Sequence, residues 1–484
     1  MHHHIANRDS RPTRTSFWPR VREFAVPAAM IETATARRQA GDWAGACAAA
    51  GVDVDLQLRS VARSHGTAFA ARIRADLRHL APDLLRWHLP RIAPHGLLRP
   101  GLTIALARYG GPEPDGPPDP LYLVVRTPPA WADAGQRVSL TLWDGSHAEP
   151  GARRHPHPRP NRRFRLDLHR HLWDARRVDE LRMRSGADRP TASVRKAVDP
   201  HLLDALPPDR PYAVDRWAAE AAILLRAEGQ GPGGAVSVRL GGRRRILVYV
   251  EEGEDDCGTP PVVRVAAGAK DAHTAATSPV LPDAATWVLP DLDLIRSGSI
   301  EAGQLHPLVA RALVPDLVPA APDPASVPAS VRSRTAERAG QSRIVECRGA
   351  RHRIGLVDGA LAALDHDPAE IRREELLVAL TGTPLPCLQA IDRAHRRPDC
   401  LTGVRERLDH GDIAGALAVV EGLLGPDAVL RKGPLRDELE AAAQRRITYG
   451  LFRADLLGPG PARYRPDHRR PGDRRPRPRR TGVG

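Results

Sequence analysis

Gly41-Asp42-Trp43-Ala44-Gly45-Ala46, continuing Cys47-Ala48, reads almost like Gly411-Asp412-Ile413-Ala414-Gly415-Ala416, continuing Leu417-Ala418. Each stretch follows a basic, helix-compatible run, Arg37-Arg38 in the first case and Arg405 to Arg407 in the second. The shared pattern predicts a helix, a glycine stop, an aspartate cap and a new helix. Glycine reaches the left-handed conformation that ends a helix, and the Asp carboxylate accepts hydrogen bonds from the free amides of the next one. The Ala-Gly-Ala that follows suits close helix–helix approach. Gly41, Asp42, Gly45, Gly411, Asp412 and Gly415 are therefore candidate structural residues of two helical hairpins, units that pack and present surface.

Around the first hairpin the chain reads as helical from Pro27 to Ile92. Phe69, Ile73, Leu77 and Leu80 form an apolar stripe at helical spacing, with Arg72, Arg74, Asp76 and Arg78 between them. A Gly-, Pro- and Asp-rich run from 110 to 120 marks a boundary. Beyond it Leu121 to Arg126, Arg137 to Trp143 and Phe164 to His171 read as short strands. A helix is expected over 215–228. The best hairpin signal is Val236 to Leu240 and Arg243 to Val250 joined at Gly241-Gly242, with Val262 to Val265 and Thr286 to Leu289 extending its sheet.

The fold expected is α+β and multidomain, with two mainly helical modules flanking a central antiparallel-sheet region. Residues 1–22 read as a disordered extension, 23–109 as the first helical module and 121–314 as the central region with a basic insert at 151–177. Residues 315–341 read as a Pro/Ala-rich linker, 342–458 as a β-hairpin plus helical module, and 459–484 as a disordered Arg/Pro-rich tail. In the second module Asp367, Pro368 and Glu370 sign a helix start.

The net charge is +14, but residues 151–177 and 461–484 each carry nine Arg and two Asp, so the remainder is formally balanced. Basicity thus belongs to one internal segment, expected to be exposed, and one tail. Arg162, Arg163, Arg165, Arg474, Arg475, Arg479 and Arg480 are the candidate nucleic-acid contacts. Phe164, Trp173 and Tyr464 are the few aromatics near them for base stacking.

His155, His157, His169 and His171 form two His-x-His pairs near Asp167 and Asp174, a weak candidate metal site in which a strand would place His169 and His171 on one face. The competing reading is a set of histidines in an exposed Arg- and Pro-rich insert whose cations repel a metal. Leu364-Asp365-His366-Asp367 and Leu408-Asp409-His410-Gly411-Asp412 pair acid with histidine but sit where caps belong. Cys387 with His395 reads as a buried thiol rather than a nucleophile. No GxxxxGK[ST], HExxH, GxSxG or strand-linked GxGxxG occurs, which excludes the readily legible nucleotide, zinc-protease and hydrolase classes. No cofactor is expected. Five scattered cysteines without a CxxC pair, no signal-like apolar core and no long apolar run point to a cytoplasmic protein with no membrane association.

The run from Cys347 to Ile391, with His352-Arg353-Ile354-Gly355, Arg373-Glu374-Glu375-Leu376-Leu377 and Pro384-Leu385-Pro386-Cys387-Leu388, resembles a group of hypothetical proteins from high-GC Gram-positive bacteria. Phe24-Ala25-Val26-Pro27 through Leu84-Leu85-Arg86-Trp87-His88 resembles the N-terminus of that group, and Leu408 to Leu424 its C-terminal hairpin. The resemblance implies no activity and carries over no site residue. The hairpins are also similar to tetratricopeptide-like pairs, without a regular repeat. The leading expectation is a non-enzymatic interaction or regulatory protein whose partner is another protein. A nucleic-acid-associated protein and an enzyme with a dispersed site are the alternatives.

Overall fold

The computed structural model describes residues 17–110, 120–133, 135–145, 155–189, 200–207, 211–231, 233–242, 244–251, 262–265, 277–315, 343–347, 350–357, 360–363, 367, 369, 372–373, 401–424 and 433–456. The expectations for 1–16, 316–341 and 457–484, including Arg474, Arg475, Arg479 and Arg480, lie outside the described residues, as do those for Cys257, Cys387, Cys400 and Leu364 to His366.

Helices α1 (Trp18–Phe24), α2 (Ala28–Gln39) and α3 (Trp43–Ala49) lead into strand β1 (Val52–Val54), and α4 (Leu58–His65), α5 (Thr67–His79) and α6 (Pro82–His88) follow. The α5 stripe is buried at Phe69, Ile73 and Leu77, and Leu80 continues it just past the helix. α6 starts on a proline, whose missing N–H costs nothing in the first turn, and Pro82 to Trp87 are all buried. After the short β2 (Arg91–Ile92) and β3 (Leu97–Leu98) pair come β4 (Thr103–Tyr109), β5 (Leu121–Arg126) and β6 (Val138–Trp143). These three form an antiparallel ladder with Ile104 opposite Val125 and Val125 opposite Leu140, and β1 joins parallel to β6 with Val52 opposite Val138. One apolar core joins α5, α6 and this sheet and takes in residues from Phe17 to Leu181 and from Leu294 to Leu313. The expected boundary between 109 and 121 therefore runs through a sheet, because β4 from the supposed helical module pairs with β5.

The basic segment departs most from expectation. From 155 onward it is packed on the open edge of β4, where the Asn161 amide donates to the Thr103 carbonyl (2.8 Å) and the Asp167 amide to that of Ala105 (2.9 Å). Phe164 to His171 is a single bridge at Arg165 followed by a 3-10 turn at Arg170–Leu172, not a strand. Helices α7 (Glu180–Ser185) and α8 (Pro200–Ala205) lead to α9 (Val214–Ala227). Trp217, Leu224 and Leu225 of α9 pack on β7 (Gly234–Gly241), β8 (Arg244–Glu251) and β9 (Val262–Val265), an antiparallel sheet with its own core. Thr286 to Leu289 does not extend it. Pro282 and Asp283 start the helical turn α10 (Asp283–Thr286), and Trp287 bridges to Tyr212 instead. Helices α11 (Pro290–Arg296) and α12 (Pro307–Leu313) return to the first core.

Strands β10 (Arg343–Cys347), β11 (Ala350–Val357) and β12 (Ala360–Ala363) form an antiparallel meander. Helices α13 (Leu401–His410), α14 (Ile413–Leu424) and α15 (Pro434–Arg453) share a third core around Val404, Leu408, Ala416, Val420 and Ala442. The molecule is thus α+β, built around several small sheets. Its C-terminal helices dock on the first core through Arg86. That side chain is fully buried and donates to the carbonyls of Ala25 (2.9 Å), Gln136 (2.5 Å) and His410 (2.7 Å). Burial, then the neighbouring Arg137 charge, draw the Arg86 pKa down to about 10.

Candidate functional site

The two Gly-Asp turns have the same geometry. The Asp42 amide reaches the Arg37 carbonyl (2.9 Å) and the Asp412 amide that of Arg407 (2.8 Å), and Gly41 and Gly411 stand at φ 78° and 86°. Asp42 Oδ1 accepts from the Gly45 amide (2.8 Å) and Asp412 Oδ1 from that of Gly415 (2.9 Å). Arg37 and Arg407 each bind the other oxygen of their aspartate, at 3.1 and 2.6 Å. Gly45 and Gly415 do not serve helix contact: a Cβ at either would overlap the capping carboxylate. The second turn is already covered, since a Cβ on Gly411 would overlap the Gly135 carbonyl, whereas Gly41 faces open space.

The four histidines are not gathered into one site. His155 is buried, with Nε2 2.9 Å from the Thr127 carbonyl and Nδ1 3.0 Å from the His157 carbonyl; His157 itself is exposed. His169 lies 3.2 Å from Glu220, and its ring is 5.8 Å from that of His171. Among the described residues no group of three or more His, Cys, Asp or Glu is placed to hold a metal ion. Of the candidate nucleic-acid residues, Arg163 is forked onto Asp283 (3.2 and 2.7 Å), Arg165 grips Asp167 (2.8 Å) and Glu228 (2.5 Å), and Arg162 alone is exposed.

These elements line a partly open cavity of about 600 Å³. Phe17 and Trp18, at and just before the start of α1, form one wall with Leu89 and Pro90, which follow α6. The basic segment supplies a second through Phe164, Leu166, Leu172 and Leu181, and Ala213, Trp287, Val288 and Leu289 close a third. The lining is therefore largely apolar, and basic side chains reach it from every side: Arg22, Arg91, Arg99, Arg184 and Arg216, with His88 and His171.

Two of these cations are neutralised. Arg22 donates to Asp291 Oδ2 (2.7 Å) and to the Trp87 carbonyl (2.7 Å), with its guanidinium 4.3 Å above the Trp87 ring; the other Asp291 oxygen accepts from Trp87 Nε1 (3.0 Å). Arg184 is forked onto Glu220 (2.5 and 2.6 Å). Burial works to raise the Glu220 pKa, but hydrogen bonds from His169 and Arg184 outweigh it and hold the carboxylate at about 2.

The other three lack a counter-ion within 4 Å among the described residues. Arg91 donates only to the carbonyls of Gly96 and Arg86 (3.0 Å each), and burial, then Arg86 and Arg22, push its pKa well down. The Arg216 guanidinium, in a residue 5% exposed, makes no hydrogen bond or ion pair within 4 Å to a described residue, with Glu220 as the acid acting on it most strongly, and the half-buried Arg99 guanidinium makes none either. Burial also lowers the Arg216 pKa. His88 donates from Nδ1 to the carbonyls of Leu84 and Leu172 (3.1 Å each), and burial holds it neutral with a pKa of about 4; its Nε2 and His171 Nδ1 have no hydrogen-bond partner. Buried polar groups are normally satisfied, so unpartnered ones lining an apolar cavity make it the candidate binding site.

The sequence reading missed this site. Its elements converge from residues 17–22, 88–99, 164–185 and 211–293, and the first of these was set aside as an extension. The buried arginine legible in Leu84-Leu85-Arg86-Trp87 belongs to the docking of the C-terminal helices and not to the cavity lining. No protein-family model, curated protein or solved structure matches the chain.

Proposed function

We propose that this chain is a cytoplasmic, non-enzymatic regulatory protein whose primary act is to bind a small organic molecule in the cavity. The observation that carries the reading is the pairing of a mostly apolar cavity of about 600 Å³ with the buried Arg91 and Arg216, which have no counter-ion within 4 Å among the described residues. Among the described residues that line it, no histidine is hydrogen-bonded to a carboxylate or to Ser185, so recognition accounts for its chemistry better than turnover does. Among the described residues no helix is long and apolar enough to cross a membrane.

A thermal-unfolding screen of the full chain against organic acids, amines and neutral analogues tests this. A ligand at a hundred times its Kd stabilises by about 2.7 kcal/mol, a readable rise in Tm. Ala284 is exposed at the cavity rim, so Ala284→Trp should abolish that rise while leaving the unliganded Tm near the parent value. A screen without a hit, or hits indifferent to Ala284→Trp, would remove the reading.

A protein partner is a second reading with its own observation. The outer side of α14 exposes Ala414, Leu417 and Ala418, Leu417 at 42%. The Gly411 turn is occupied by Gly135, so this reading takes the α14 face rather than the turn as the partner contact. Leu417→Asp should then abolish capture of a partner and leave folding intact; unchanged capture would exclude the face. Nucleic-acid binding loses support, because Arg163 and Arg165 are committed to carboxylates within the molecule.

A further inference from the structure

Resting on the cavity reading above, we infer that the ligand is an organic acid: an ionised carboxylate on an aromatic or medium-chain apolar body. Donors outnumber acceptors in the cavity lining. A guanidinium offers five N–H donors and no acceptor, and Arg99 and Arg216 both line the cavity with guanidinium groups that donate to no described residue. Of the two lining carboxylates, Asp283 is forked onto Arg163, which leaves Asp293 as the one lining acid without a hydrogen-bonded cation.

A cationic ligand would enter against this excess of positive charge. A neutral ligand would leave the two guanidinium groups as they are. A carboxylate accepts paired N–H bonds from an arginine fork, and such charge-assisted bonds are stronger than those between neutral groups. The rest of the ligand is set by the walls. Phe17, Trp18, Phe164 and Trp287 present ring surface, and Leu166 and Leu172 fill between them. A flat aromatic or a chain of several methylenes matches that lining; a compact polar ion does not. Inorganic phosphate satisfies the arginines but leaves the apolar walls uncovered, so it is the natural control for charge alone.

The test is isothermal titration calorimetry of the full chain with three acid and amide pairs: indole-3-acetate and indole-3-acetamide, 1-naphthoate and 1-naphthamide, decanoate and decanamide. Inorganic phosphate is titrated alongside. At least one acid is expected to bind ten-fold or more tightly than its amide, and phosphate without measurable heat. Arg216→Gln should weaken the acid ten-fold or more and leave the amide unchanged. Because Arg216 is buried, its folding is checked by circular dichroism, and the half-buried Arg99→Gln provides an independent variant with the same expectation. Acids and amides of equal affinity would overturn the anion inference and leave the cavity reading standing. Failure of all six compounds would overturn both.

Discussion

The Arg22 guanidinium lies 2.7 Å from the Asp291 carboxylate across 269 residues of sequence, and both side chains are buried. Their contact ties α1 to α11 beside the cavity, so the wall bearing Phe17 and Trp18 depends on a pair that neither partner sustains alone. Asp291→Asn leaves a buried cation facing a weak dipole, and a loss of about 3–5 kcal/mol is expected. The double change Arg22→Met with Asp291→Leu should recover part of that loss, because it removes both desolvated charges. Urea unfolding of the parent and the two variants measures this, and a double variant less stable than Asp291→Asn would contradict it.

The two Gly-Asp turns separate backbone strain from packing. At Gly41 an alanine meets open space, so only its left-handed φ matters, a cost of about 1 kcal/mol. At Gly411 the same substitution also drives a methyl group into the Gly135 carbonyl. Gly411→Ala should therefore be the more damaging by a clear margin and loosen the C-terminal helices. Limited proteolysis with thermal unfolding reads both effects, and equal losses at the two sites would show that the docked contact contributes nothing.

Acid should unfold this protein in a window set by histidines. Burial is the leading cause in each case and depresses His88 and His155 to about 4 and His410 to about 3. An unfolded histidine titrates near ~6.5, so below that pH the unfolded chain takes up protons that the folded chain refuses. Stability is then fully present above about pH 6.5 and falls as pH drops toward the folded values. Each such histidine contributes a slope of up to ~1.4 kcal/mol per pH unit. His155→Gln should flatten the dependence between pH 6.5 and 5 by up to that amount in urea titrations. A variant with the parent slope would show that His155 does not resist protonation.

Arg165 separates scaffold from nucleic-acid contact. It is held by Asp167 and Glu228 and is only partly exposed. Arg165→Gln should lower Tm by several degrees and leave any salt-sensitive affinity for single-stranded DNA unchanged. The reverse pattern, weaker DNA binding at constant Tm, would restore the nucleic-acid reading.

Local physics was legible in the sequence and long-range pairing was not. The α5 stripe, the Gly241-Gly242 hairpin and both aspartate caps depend on residues within a few positions of one another, so period and turn chemistry sufficed. Phe164 to His171 imitates a strand in its alternation, yet its conformation follows from docking on β4 and from the Trp173 Nε1 bond to the Leu166 carbonyl (3.0 Å). The basic segment read as exposed because its charge is uncompensated in sequence. In space Arg163 meets Asp283 and Arg165 meets Glu228, partners 120 and 63 residues away. Arg170, in the same segment, reaches back to Asp76 on α5. The cavity was illegible for the same reason, since no two of its walls are neighbours in the chain.

The most direct measurement is a crystal structure of the full chain grown with 4-iodobenzoate, whose iodine is located by its anomalous signal. The expected result is one iodine site among Phe17, Trp18, Phe164 and Leu172, with the carboxylate on Arg216 or Arg99. An empty cavity, or iodine bound only on the outer surface, would contradict the assignment of this cavity as the site of an apolar organic acid.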